Sequence, residues 1–160
     1  MSTFNLGYEL LRSSTPHSRS DCVSVASDRM MPVSTMHRMA LKACEKVILL
    51  MNNTRMLTRH HRLASMNDVL VYLTGHHEDE GLPGDRGDFY RRKLAEQLYV
   101  HYSLQNVDHS NVLSFVDGLL RLERDCRFVL SERGCRRSEA PPINVDGQIL
   151  DMIGRLADVH

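Results

Sequence analysis

Tryptophan is absent from this chain, and of its 160 residues only 5 are proline and 9 glycine. A β-sandwich or barrel needs those two residues at its many turns, so their scarcity argues against a β-rich fold. No run of 18 apolar residues is present, which speaks against a membrane-spanning helix. The stretch MSTFNLGYELLRSS has no basic start followed by an apolar run, so a secretory signal is not expected. Without secretion, the glycosylation triplet Asn52-Asn53-Thr54 is a chance match. The 4 cysteines, at 22, 44, 126 and 135, form no CxxC pair. Zinc needs closely spaced ligand pairs, so no structural metal is expected. Cys44 and Cys126 fall inside apolar helical patterns, where cysteine behaves as a small hydrophobe. Reduced thiols of this kind point to a cytosolic or nuclear compartment, and a cytoplasmic protein is the expectation. HExxH, GxGxxG, GxSxG and the Walker phosphate-loop pattern are all missing, so neither an enzyme nor a cofactor is expected. Net charge is lacking too: 20 basic residues balance 20 acidic ones, which argues against a polybasic tail.

What is present is helical periodicity. Residues 1–33 are the least regular part, an N-terminal arm in which Phe4 to Leu11 suggests a short helix and Ser13 to Arg29 a linker. From Ser34 the spacing of Met36, Met39, Ala40, Ala43, Val47, Leu50 and Met51 predicts a helix with one buried stripe, capped by Ser34 or Thr35. It continues or kinks near Asn52-Asn53. Ser65 and Asp68 form a capping-box pattern for MNDVLVYL, and Gly75 is a natural C-cap. This N-terminal helical part spans 34–76. In the C-terminal part, 77–160, the loop ending at Asp88 precedes FYRRKLAEQLYVHYSL. Asp88 is expected as its cap, with Phe89, Leu94, Leu98, Tyr99 and Tyr102 inward. Asp108 or Ser110 opens a long helix that buries Val112, Val116, Leu119, Leu120, Cys126, Val129 and Leu130 and stops at Gly134. Asp146 caps a last helix with Ile149, Leu150, Met152, Ile153, Leu156 and Val159 apolar. The expected class is all-α: five to six amphipathic helices in a compact bundle, taken as one unit or as two small helical subdomains, with no strand and no repeat.

The basic residues are lopsided, arginine at every position except Lys42, Lys46 and Lys93. Arginine suits phosphate and carboxylate, although GC-rich codon usage produces the same bias. No acidic residue lies between Glu45 and Asp68. Within that stretch a helix would place Arg55, Arg59 and Arg62 at i, i+4, i+7, on one face and within about 11 Å. Such a row can follow nucleic-acid phosphates; the alternative is a solvated face or one paired with acids from another helix. Arg91, Arg92 and Lys93 open a helix against its dipole, which suggests either a polyanion or pairing with Glu96 and the acidic loop. Arg133, Arg136 and Arg137 follow a helix end, where the dipole favours cations. The His76–Glu80 run, HHEDE, has no partner pair for metal binding. Arg86-Gly87-Asp88 spells an adhesion tripeptide in an expected loop and is taken as accidental. Tyr90, Tyr99 and Tyr102 could stack on bases, although at helical spacing they suit a core better.

The segments ASMNDVLVYLTGHH (64–77), DFYRRKLAEQLYVHYS (88–103) and GLLRLERDCRFVLSERG (118–134) resemble the small all-helical RNA-silencing suppressors of closteroviruses. The resemblance covers less than half the chain and rests on no short motif. It implies an all-α homo-oligomeric ring whose basic surface binds small duplex RNA and keeps it from the host silencing machinery. Duplex RNA is recognised by shape, phosphates and 2′-OH groups, which needs no catalytic residue. A helical adaptor that binds another protein through an apolar groove is the competing expectation, suggested by the 9 methionines.

Overall fold

Met36, Ala40, Ala43, Val47 and Met51 recur at spacings of three and four, and all five are withdrawn from solvent. They form the inner stripe of helix α1 (Val33–Asn53) in a computed structural model that describes residues 28–53, 62–75, 86–133 and 141–158. The Pro32 carbonyl accepts the Met36 amide at 2.9 Å, so α1 begins ahead of Ser34 and Thr35. Those two residues sit in its first turn rather than capping it. Burial of Val33 draws the helix back to that point.

Helix α2 (Met66–Thr74) has the capping box expected of Ser65 and Asp68, and Gly75 closes it at φ 88°. Helix α3 (Arg86–Tyr102) starts two residues before Asp88, so Asp88 lies in its first turn and is not its cap. The adhesion tripeptide is therefore helical rather than looped. Gly87 is buried there because α3 meets the end of α2 backbone to backbone: a Cβ at 87 would lie 2.7 Å from both the Gly75 nitrogen and the Leu73 oxygen. One turn on, Tyr90 packs edge to face on Tyr72 at 5.2 Å between ring centres. The inward side of α3 is thus Tyr90, Leu94, Ala95 and Leu98. Phe89 and Tyr99, expected inside, are exposed. Helix α3 ends in an αL turn, with Ser103 at φ 57° and its amide on the Tyr99 carbonyl at 2.9 Å.

Asp108 and Asn111 then shape a tight turn. The Asn111 side chain accepts the Asp108 amide at 2.8 Å and donates to the Asn106 carbonyl at 2.9 Å. Helix α4 (Val112–Arg133) follows. Its inward residues include Val112, Val116, Leu119, Leu120 and Cys126, as periodicity predicts, and also Phe115 and Leu122, while Val129 and Leu130, expected inside, are only partly buried. Helix α5 (Gly147–Asp158) is capped by Asp146, whose carboxylate accepts the amides of Gln148 and Ile149.

The departure from the expected class is a small ribbon. Strands β1 (Arg29–Met31) and β2 (Ile143–Val145) pair antiparallel, with Arg29 opposite Val145 and Met31 opposite Ile143. Ile143 and Val145 point inward and Asn144 outward. Three-residue strands are too short to show a period of two, and these partners lie at opposite ends of the chain. Among the described residues the fold is otherwise all-α, with five helices. Helix α1 is its axis: α2, α3, α4 and α5 all pack against it, and the buried residues form one continuous core.

Gly87→Ala is expected to lower unfolding stability by about 1–3 kcal/mol, because backbone on the facing side cannot move aside as a side chain would. A urea titration followed by far-UV circular dichroism measures it, with Gly154→Ala as the tolerated control; there the nearest atom to a new Cβ is the Met39 methyl at 3.8 Å.

Candidate nucleic-acid interface

Most basic side chains on α3, α4 and α5 have an acid one turn away. Arg92 donates to Asp88 at 2.9 Å, Arg121 to Asp117 at 2.8 Å, and Arg127 to Glu123 through two bonds of 3.1 Å. Arg155 lies 3.3 Å from Asp151, and Lys93 lies 3.6 Å from Glu96. Helix α1 is different. Arg38, Lys42 and Lys46 stand at i, i+4 and i+8 on its outer side. None of them has a carboxylate partner among the described residues. Like charges one turn apart cost a helix about 0.2–0.5 kcal/mol per pair, and this row contains two such pairs. Glu45 is the one acid on this outer side, and Leu41 and Leu49 are also exposed there.

Asn52 extends the row. Its side chain donates to the Leu63 carbonyl at 2.9 Å and accepts the Leu63 amide at 2.8 Å. This double bond, with Leu63 buried, holds the returning chain against the carboxyl end of α1. Arg62, exposed and one residue before the clamp, therefore lies at that end, with no carboxylate partner among the described residues. From Arg38 to Asn52 the helix rises about 21 Å. The remaining basic side chains without a described acid are Arg29, on the ribbon, and Arg124, which reaches Asn67 on α2 at 3.3 Å.

The structure sorts the residues singled out from sequence. Arg55 and Arg59 lie outside the described residues. Arg62 is exposed but precedes α2 in a non-helical segment, so it does not continue a helical row. Arg91 is half-buried and donates to the Leu73 carbonyl, where a cation complements the end of the α2 dipole. Arg92 is held by Asp88, and so is His109, from the turn before α4. Among the described residues Arg91 and Arg92 thus pair with Asp88 in their own first turn and only Lys93 reaches Glu96; the acidic loop before α3 lies outside the described residues. Arg133 is in the last turn of α4 with its side chain outside the described set, as are Arg136 and Arg137 entirely. Tyr90 is buried, Tyr102 half-buried, and Tyr99 exposed. Arg38, Lys42 and Lys46 were open to the same spacing rule. They stand out only when the acids on the other helices are seen to be engaged.

The chain matches no known family model, no curated protein and no solved structure. The site's chemistry is therefore its own evidence. Among the described residues no group of three metal-capable side chains comes together, and no helix is long and apolar enough to cross a membrane; the HHEDE run lies outside them. Burial, with Glu123 nearby, pushes the Cys44 thiol up to about 12; burial, with Asp125 and Glu123, does the same for Cys126. Both stay protonated at neutral pH and are poor nucleophiles. Between α1 and α4, buried Glu123 accepts Arg127 and lies 3.0 Å from His37, which satisfies a carboxylate inside the core.

Two outcomes follow. Cys44 and Cys126 should react with a thiol reagent only on unfolding, read as alkylation by mass spectrometry with and without denaturant. Asp88 has its carboxyl held below the ordinary range by the Arg92 hydrogen bond and then by His109. A depressed carboxyl stabilises above its unfolded value of about 3.9 and loses that contribution as pH falls through the folded value. Asp88→Asn should therefore flatten stability against pH below about 4 in a denaturation series.

Proposed function

We propose that the protein binds the phosphate backbone of RNA, without sequence preference, along the outer side of α1. The observation that carries this is the segregation of charge: Arg38, Lys42, Lys46 and Arg62 share one helix and its end without described carboxylate partners, while most cations elsewhere are paired. A row of cations at turn-by-turn spacing, about 6 Å per step, suits a repeating polyanion, and its mutual repulsion is relieved when one binds. A chain of zero net charge can do this when its charges are sorted by surface. The acid-free stretch carrying Arg55 and Arg59 connects the carboxyl end of α1 to Arg62 in sequence. The choice of small duplex RNA among polyanions, and a role in a homo-oligomeric suppressor of RNA silencing acting in a host cytoplasm during viral infection, follow from the resemblance alone. Arg91 is engaged by the Leu73 carbonyl and Arg92 by Asp88, which leaves them less available to phosphate than the cations of α1. A protein partner is the second reading, favoured by the exposed Phe89, Tyr99 and Val100 on α3.

The test is binding of a short labelled RNA duplex across a salt series. The wild-type chain should bind with an affinity that falls with salt. Arg38→Gln/Lys42→Gln/Lys46→Gln should flatten the slope of log affinity on log salt by about 2–3 units, while leaving thermal stability equal or slightly raised. Arg55→Gln/Arg59→Gln/Arg62→Gln forms a second arm with the same expectation. Glu45→Gln should strengthen binding by removing the one acid from the row. No binding at low salt, or a triple variant with an unchanged slope, would remove α1 as the contact.

A further inference from the structure

Helix α3 has two apolar sides. One is in the core, through Tyr90, Leu94, Ala95 and Leu98. The other faces out and runs Phe89, Lys93, Glu96, Val100, at i, i+4, i+7 and i+11, which is one continuous stripe. Phe89 is 44% exposed and Val100 62%, and Tyr99 beside them is 55% exposed. Lys93 and Glu96 are exposed and face each other at 3.6 Å. Large apolar groups clustered in this way on a surface helix mark an interaction site more often than a scattered leucine does.

The order of the stripe indicates what covers it. Positions 89 and 100 are equidistant from the midpoint between Leu94 and Ala95, and so are positions 93 and 96. When two such helices lie antiparallel with a two-fold axis through that midpoint, Phe89 meets Val100 twice and Lys93 meets Glu96 twice. The face is complementary to itself in both apolar and charged positions, with apolar ends and a charged centre. Self-complementarity about a two-fold axis is the requirement of an isologous contact between identical chains; an unrelated partner imposes no such symmetry. Within one chain the Lys93–Glu96 pair is solvent-screened and contributes little, so exchanging it for two cross-chain pairs costs little and sets the antiparallel register, as flanking charges do in coiled coils.

We propose that the outer face of α3 is a homodimer interface in which two copies pair antiparallel through Phe89, Lys93, Glu96 and Val100. Tyr99, flanking the stripe, lies near the partner's basic positions, where a ring and a cation attract. The contact closes on itself, so it yields a dimer; a larger ring needs a second interface. It gives the proposed oligomer a specific contact and does not depend on nucleic-acid binding.

Sedimentation velocity of the full chain, without nucleic acid, tests it. A reversible monomer–dimer equilibrium is expected. Lys93→Glu and Glu96→Lys, each placing like charges opposite one another, should weaken the dimer about tenfold. The double swap Lys93→Glu/Glu96→Lys should return it to near the wild-type constant, and an unchanged thermal unfolding midpoint in the single variants separates a lost contact from a damaged fold. In a Phe89→Cys/Val100→Cys chain the two thiols sit about 16 Å apart along one helix, beyond the roughly 7 Å Cα limit for an internal bridge. Mild oxidation should give a covalent dimer whose mapped cross-link joins 89 to 100. A monomer at all concentrations, a dimer indifferent to the single charge changes, or cross-links joining 89 to 89 would overturn the proposal.

Discussion

Everything in this structure depends on the inner stripe of α1. Each apolar side chain of Met or Val size that it buries contributes on the order of 1.5–3 kcal/mol, and Ala40 and Ala43 keep the helix surface low where other helices approach. All four other helices touch α1, so no pair of them is arranged independently of it. The stripe also fixes rotation. With Met36, Ala40, Ala43, Val47 and Met51 inward, Arg38, Lys42 and Glu45 must face solvent. The same packing that stabilises the core therefore presents the basic row, and neither can change without the other.

Charge in this protein is sorted rather than scarce. On α3, α4 and α5 carboxylates one turn from the arginines absorb the positive charge. These exposed pairs stabilise little individually, yet they leave most of the cations without a described carboxylate on α1 and at its carboxyl end. A zero net charge is consistent with an electropositive face under that arrangement. Buried Glu123 shows the opposite case, a carboxylate kept inside by Arg127 and His37 and used to join α1 to α4.

Helix α3 occupies the edge of the bundle and is the least amphipathic of the long helices in sequence. Gly87 lets its first turn approach the end of α2, Arg91 caps that end, and Asp88 gathers Arg92 and His109. With its amino end anchored so firmly, the helix can carry exposed apolar groups on its outer side without rotating them inward.

Although Phe115 and Leu122 were missed and Val129 and Leu130 are only partly buried, the helical class, the capping box at Ser65 and Asp68, the αL stop at Gly75, the Asp146 cap and most inward residues of α1, α4 and α5 were legible in the sequence. They depend on interactions within four residues, which local spacing encodes. The early start of α1 and the true start of α3 were not legible, because burial of Val33 and the approach of Gly87 to α2 decide them. The rotation of α3 was ambiguous for the same reason: apolar residues lie on both of its sides, and only the Tyr72–Tyr90 contact selects one. Of the candidate site, the presence of an acid-poor basic region around Arg62 was legible, but its neighbours Arg38, Lys42 and Lys46 emerged only from knowing which cations elsewhere are neutralised. The sequence by itself determined which segments are helical and where most of them stop, since those choices are made between near neighbours. The ribbon, the Asn52–Leu63 clamp, the inward side of α3 and the surface on which unpaired charge collects were decided by tertiary structure, because each depends on groups that meet only once α1 is buried.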